Sequence, residues 1–169
     1  NEFGEEVGYA CRPADATKVT IFVPDAILWD IDNPYLYTVT ALLQRRNETC
    51  DEISARVGVR TFHCDPNTGF WLNGKNVPLR GVSRHQDFKG IGNAITKEQH
   101  DHDMELIKEV GANTIRLAHY QHDQYFYDLC DEYGMVVWAE IPYISMDLAN
   151  GHENAMSQMK ELIVQNYNH

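Results

Sequence analysis

The run Asn113-Thr114-Ile115-Arg116-Leu117-Ala118-His119-Tyr120 constrains this chain more than any other segment. It reads as a buried strand whose last turn carries an arginine, a histidine and a tyrosine. Helix-compatible residues follow from Gln124 to Gly134, and then a second apolar run from Met135 to Pro142. Strand, short helix and strand predict a right-handed βαβ unit, because a right-twisted strand feeding a right-handed helix packs back onto its sheet with that hand. Sites in such sheets lie beyond the carboxyl ends of the strands. Arg116, His119, Tyr120 and Glu140 all belong to that end, where ligands bind.

The same rhythm extends to either side. Thr96 and Gln99 have the spacing of a capping box, Met104, Ile107 and Val110 mark the inner stripe of a helix, and Gly111 suits its end. Ahead of that helix, Val77 to Val82 reads as an apolar strand running into the polar cluster Ser83-Arg84-His85-Gln86-Asp87. Near the end, Glu153 to Tyr167 places Ala155, Met159, Leu162 and Asn166 on one helix face. The order β, α, β, α, β, loop, α predicts a parallel sheet or a TIM-type (β/α)8 α/β barrel, entered but not completed: its first three βα units.

The first half has a different texture. Lys18 to Val23, Leu36 to Leu43 and Cys50 to Cys64 alternate with a period of two, and Asp25, Asp30, Asn33-Pro34 and Arg46-Asn47 supply turns between them. These short strands predict part of an all-β, immunoglobulin-like sandwich, too short for a complete one of ~100 residues. Asn73-Gly74 predicts a type I′ hairpin between Phe70-Trp71-Leu72 and Lys75 to Leu79. The expected division is 1–65 for the partial sandwich and 66–169 for the start of the barrel.

Charge and cysteine usage narrow the partners. A formal net charge of −11 argues against nucleic acid and anionic membrane surfaces, whose phosphates would be repelled. No run of eighteen apolar residues and no basic-then-apolar leader stands in the sequence, so no membrane span or targeting segment is expected. Cys11, Cys50, Cys64 and Cys130 are scattered without close pairs, which predicts free, mostly buried thiols and a cytoplasmic location.

Three strand ends converge in a barrel: His85 and Asp87 after the first, Arg116 and His119 at the second, Glu140 at the third. A guanidinium and imidazoles there suit the hydroxyls of a sugar, and Trp138 or Tyr143 suits its apolar face. The same residues also suit a buried Arg116–Glu140 ion pair that only holds the barrel together, and both readings stand. His100 and His102 fall on different faces of a helix, which favours a solvated face over a metal site. His119 and His122 are separated by the strand end, so they too make a weak metal pair. Gly90-Ile91-Gly92 lacks the third glycine and the lysine that cradle phosphates, and no Gly-x-Ser-x-Gly is present to serve a serine hydrolase.

Three motifs in order then resemble glycoside hydrolase family 2. The first is Trp29-Asp30-Ile31-Asp32-Asn33-Pro34-Tyr35-Leu36-Tyr37. The second is Val57-Gly58-Val59-Arg60, continuing into Phe70-x-Leu72-Asn73-Gly74-Lys75-x-x-x-Leu79-Arg80-Gly81-Val82-x-Arg84-His85. The third is Gly111-Ala112-Asn113-Thr114-Ile115-Arg116-Leu117-Ala118-His119-Tyr120, with Tyr127 to Gly134 and Glu140-Ile141-Pro142 after it. The resemblance covers nearly the whole chain from about residue 17. It is strongest to the β-galactosidases; β-glucuronidases and β-mannosidases share the scaffold.

What the resemblance implies is a fragment of a retaining hydrolase of terminal β-D-galactosides. The family's acid/base and nucleophile glutamates sit on later barrel strands, so none of the residues here is assigned as catalytic and the chain alone is expected to be inactive. His85, Arg116 and His119 match positions around the terminal sugar; Asp87, Tyr120, Trp138 and Glu140 are expected to support them. Gln121 replaces the family's usual proline after His-Tyr. Larger β-galactosidases carry a Glu-x-His magnesium pair after the third strand, where this chain has Ile141-Pro142-Tyr143-Ile144-Ser145, so the resemblance leaves magnesium to the parent protein and no metal or cofactor is expected in this chain. The expected partners are a lactose-like β-galactoside, the remainder of the barrel, and a second copy if the third strand's open edge drives pairing or a segment swap. A non-catalytic sugar-binding or scaffold module on the same strands is the rival reading.

Overall fold

In the computed structural model, residues 4–144 and 151–169 are described. Two antiparallel elements come first. Strands β1 (Tyr37–Arg45) and β2 (Glu48–Val57) pair through a two-residue turn, with φ of 53° at Arg46 and 66° at Asn47. Strands β3 (Phe62–Asp65), β4 (Gly69–Leu72) and β5 (Lys75–Asn76) make a second small sheet. The β4–β5 turn is the expected Asn73-Gly74, with φ of 50° and 78°, the two positive values a type I′ turn requires.

Three parallel strands follow: β6 (Gly81–Arg84), β7 (Thr114–Leu117) and β8 (Val136–Ala139), in that spatial order. Helix α1 (Lys97–Glu109) connects the first two and α2 (Gln124–Tyr133) the second two; α3 (His152–Asn166) comes last. Thr96 opens α1 with the capping box, its N–H donating to Gln99 Oε1 at 2.8 Å. Asp123 caps α2 by accepting from the Tyr125 N–H at 2.8 Å, and left-handed Gly134 ends it.

The register aligns Val82, Ile115 and Val137, and then Arg84, Leu117 and Ala139, across the three strands. That face packs on Met104 and Ile107 of α1 and Phe126, Tyr127, Leu129 and Cys130 of α2, forming the core. The opposite face carries Ser83, Arg116 and Trp138 in one row. Trp29 joins the first half to α2: it is 6% exposed and its indole N–H donates to the Asp131 carbonyl at 2.7 Å. Gly134 allows that joint, since a Cβ there would meet the Ile31 carbonyl oxygen at 2.3 Å.

Several expectations are corrected. Lys18 to Val23 forms no strand; Ile21, Phe22 and Val23 lie beside Gly8 with no ladder partner among the described residues, so alternation alone does not make it β structure. The strand expected over Val77 to Val82 begins instead at Gly81 and ends at Arg84, which is buried within the fold. Val110 is 70% exposed, and the inner stripe of α1 is His100, Met104 and Ile107. His100 therefore lies in the core, against the solvated face expected for it, while His102 is exposed. Of the four free thiols only Cys130 is buried; Cys11, Cys50 and Cys64 are exposed.

Candidate active site

The open face of the sheet organises around one carboxylate. Arg116 and Trp138 stand opposite each other in the β7–β8 register, and Glu140 follows two residues after Trp138 on the same face. The Arg116 guanidinium embraces Glu140 with both prongs: Nε donates to Oε1 at 2.6 Å and Nη2 to Oε2 at 3.1 Å. The Trp138 indole N–H donates to Oε1 at 3.1 Å. His119 Nδ1 lies 3.0 Å from Oε2 and 3.0 Å from Arg116 Nη2, so it serves the carboxylate as a donor or the guanidinium as an acceptor.

This arrangement sets the protonation of Glu140. The Arg116 hydrogen bonds, then His119, hold its carboxyl below the usual carboxylate range. A carboxylate fixed in that way is a permanent anion at neutral pH and a poor proton donor. The pair is not the buried ion pair of the structural reading: the Arg116 side chain is 45% exposed.

His85 enters the group through its ring, 5.1 Å from that of His119 in an edge-to-face arrangement. The Tyr120 hydroxyl accepts the Gln86 N–H at 3.1 Å and so ties the β6 end to the β7 end. Of the residues singled out from sequence, His85, Arg116, His119, Tyr120, Trp138 and Glu140 thus come together. Asp87 is exposed and shares no hydrogen bond with them among the described residues.

Sequence reasoning gave Arg84 no role of its own and weighed His100 and His122 only as weak metal candidates. All three are buried, at 5%, 2% and 2% exposure. Arg84 donates from Nε to Asp103 at 2.9 Å, from Nη1 to His122 Nδ1 at 3.0 Å and from Nη2 to His100 Nδ1 at 3.0 Å, and it stacks 3.8 Å over the Phe126 ring. The one available signal was charge inside an otherwise apolar strand.

Metal fits poorly here. Both oxygens of Glu140 are already bound, and Ile141, Pro142, Tyr143 and Ile144 offer no carboxylate or imidazole; Ser145 lies outside the described residues. Asp128, Asp131 and His169 are grouped within 4.8 Å, and their main feature is an ion pair, His169 Nδ1 to Asp131 Oδ2 at 2.8 Å.

The models for "Glycosyl hydrolases family 2, TIM barrel domain" and "Glycosyl hydrolases family 2" match residues 66–168 and 5–60 respectively. The FMN-binding β-glucuronidase of Facaelibacterium prausnitzii superposes with a TM-score of 0.90 at 58% identity, over 99% of this chain and 26% of that one. A β-glucuronidase of Bacteroides fragilis is 43% identical over 90% of this chain and 23% of its own length. A β-galactosidase of Thermoanaerobacter pseudethanolicus is 34% identical over 88% of this chain and 20% of its own. The chain thus spans about a quarter or less of the relatives it matches. A cavity of about 370 Å³ beside the carboxylate cluster has Glu140, Glu161, Tyr120 and Gln121 among its lining residues. With its sheet, its strand-end cluster and both matches in agreement, the chain belongs to glycoside hydrolase family 2.

Proposed function

We propose that this chain forms part of a retaining exo-β-glycosidase, contributing the end of a sandwich (1–65) and the first three βα units of the barrel (66–169). The observation that carries this reading is the Arg116–His119–Glu140 cluster on the open face at the strand ends. His85 and His119 bind hydroxyls of the terminal sugar, and Trp138 covers its apolar side. Arg116 fixes Glu140 as an anion that orients this shell. Two further glutamates, supplied by sequence outside these residues, perform the chemistry. One protonates the glycosidic oxygen while the other attacks the anomeric carbon; water then releases the sugar, the pattern of carboxylates ~5 Å apart.

The substrate is assigned from relatives. β-Glucuronidases at 58% and 43% identity stand nearer than the β-galactosidase at 34%, which favours a β-glucuronide over the β-galactoside of the sequence reading. Arg116 is committed to Glu140, so a glucuronide carboxylate would take its cation from elsewhere in the protein. The test compares nitrophenyl β-glucuronide, β-galactoside and β-mannoside as substrates for the full-length protein. A preference of at least tenfold for the glucuronide is expected; a galactoside preference restores the original reading, and no turnover of any favours the sugar-binding module. The 169-residue chain alone is expected to turn over none of them. It is also expected to self-associate through the edge of β8, which no strand pairs among the described residues, and a clean monomer in light scattering would count against that.

A further inference from the structure

We infer that Arg84 and His122 are positioning residues for His119, acting through the peptide that precedes it; this rests on the glycosidase reading above. Ala118 is held from both sides. Its N–H donates to the Arg84 carbonyl at 3.0 Å, and its carbonyl lies 3.0 Å from His122 Nε2. His122 is in turn held by Arg84 Nη1 at 3.0 Å. One arginine therefore fixes the residue before His119 twice, by its backbone directly and by its side chain through an imidazole.

The chemistry leaves one tautomer. A guanidinium only donates, so His122 Nδ1 must accept with its lone pair, and the ring proton must sit on Nε2. That proton is what the Ala118 carbonyl receives. The same logic makes His100 a neutral ring with its proton on Nε2, which is buried and finds no hydrogen-bond partner among the described residues. Its ring lies against those of Tyr125 and Phe126 instead, with centroids 6.0 and 5.8 Å away.

Protonation breaks the device. An imidazolium at position 122 has no lone pair for Arg84 and sets two cations 3.0 Å apart. The titratable and charged groups around it are Arg84 and His85 at the β6 end, His100 of α1 with Asp103 on the same guanidinium, and Tyr120, stacked on it at 5.1 Å. Burial, aided by Arg84, brings the His122 imidazole down to about 4, so it stays neutral through the working range.

His122→Phe keeps the ring and removes both hydrogen bonds. His122→Gln keeps an amide N–H for the Ala118 carbonyl and an oxygen for Arg84. Met104→Ala, in the core of α1 and away from this contact, controls for stability alone. In the full-length enzyme, assayed well below its melting temperature, His122→Phe should lower kcat about 100-fold with KM changed less than about threefold. His122→Gln should recover at least tenfold of that, and Met104→Ala should lose stability with kcat unchanged. The acid limb of the wild-type rate profile should lose its component near pH 4 in the Gln variant. Crystals of the Phe variant should show His119 Nδ1 moved beyond hydrogen-bond distance, roughly 3.5 Å, from Glu140. Equal kcat for Phe and wild type, or Gln no better than Phe, overturns the inference. If the wild type hydrolyses no glycoside, the function above fails, and the crystal geometry still decides this contact.

Discussion

The two faces of the β6–β7–β8 sheet each carry an arginine, one register step apart on neighbouring strands, and they treat it in opposite ways. On the covered face Arg84 is caged by two neutral imidazoles, a phenyl ring and Asp103. On the open face Arg116 meets a carboxylate with both prongs and stays nearly half exposed. The first cage stabilises a buried charge with the lone pairs of groups that must stay uncharged. The second uses a cation to keep an anion ionised. Open-face changes should thus appear mainly in catalysis, whereas covered-face changes should appear in stability and, through the Ala118 contact, in kcat as well.

The largest effect is expected from Arg84→Met, which keeps the packing on Phe126. It removes the donor for two buried histidines and unpairs Asp103, costing about 3 kcal/mol of unfolding free energy by urea denaturation. A loss under about 1 kcal/mol would erase the contrast between the faces.

The pH dependence sharpens it. Folding lowers the His122 imidazole from 6.5 to about 4 and lowers His100 as well, through burial first and Arg84 second. The unfolded chain binds more protons across that window. Stability is therefore full above about pH 6.5 and falls as pH drops toward about 4, by on the order of 3 kcal/mol for His122. Urea midpoints taken between pH 7 and pH 4 should show this slope, and His122→Gln should flatten it; a flat wild-type profile would mean a solvated ring. The Glu140 ion pair has the usual carboxylate sign, present at neutral pH and lost only as pH falls through its lowered value.

On the open face, Glu140→Gln should cost less than about 1 kcal/mol of stability, since Arg116 reaches water. The same change should lower kcat/KM of the full-length enzyme about 100-fold by releasing Arg116 and His119 from their places. A smaller effect is expected from Trp138→Phe. The indole is 66% exposed, so stability should stay within about 0.5 kcal/mol. Losing one hydrogen bond to Glu140 should cost roughly fivefold in kcat/KM. A stability loss as large as that of Arg84→Met, in either variant, would reverse the comparison.

Much of the local structure was legible. The Thr96–Gln99 box, the Asn73-Gly74 turn and the Gly111 helix end each involve residues within a few positions, where sterics and capping act directly. The six residues that gather at the strand ends could be read because a parallel sheet brings its carboxyl ends together. Lys18 to Val23 misled because alternation says which side chains share a face but not whether a partner strand exists. His100 misled because its i, i+4 partner Met104 is apolar, while a histidine in such a stripe gives no sign of the cation that will satisfy it.

By itself, then, the sequence determined the order of strands and helices in the parallel half, the α1 cap and the Asn73-Gly74 turn, and the strand ends at which Arg116 and Glu140 would gather. These follow from periodicity and from contacts at strand ends. Which histidines are buried, and which arginine is caged rather than paired, only the tertiary structure decided. Arg84 finds its imidazoles 16 and 38 positions away, on a helix and on a loop, and no spacing rule links them. Their meeting depends on how α1 and the β7–α2 loop pack onto one face of the sheet, where burial makes every lone pair count.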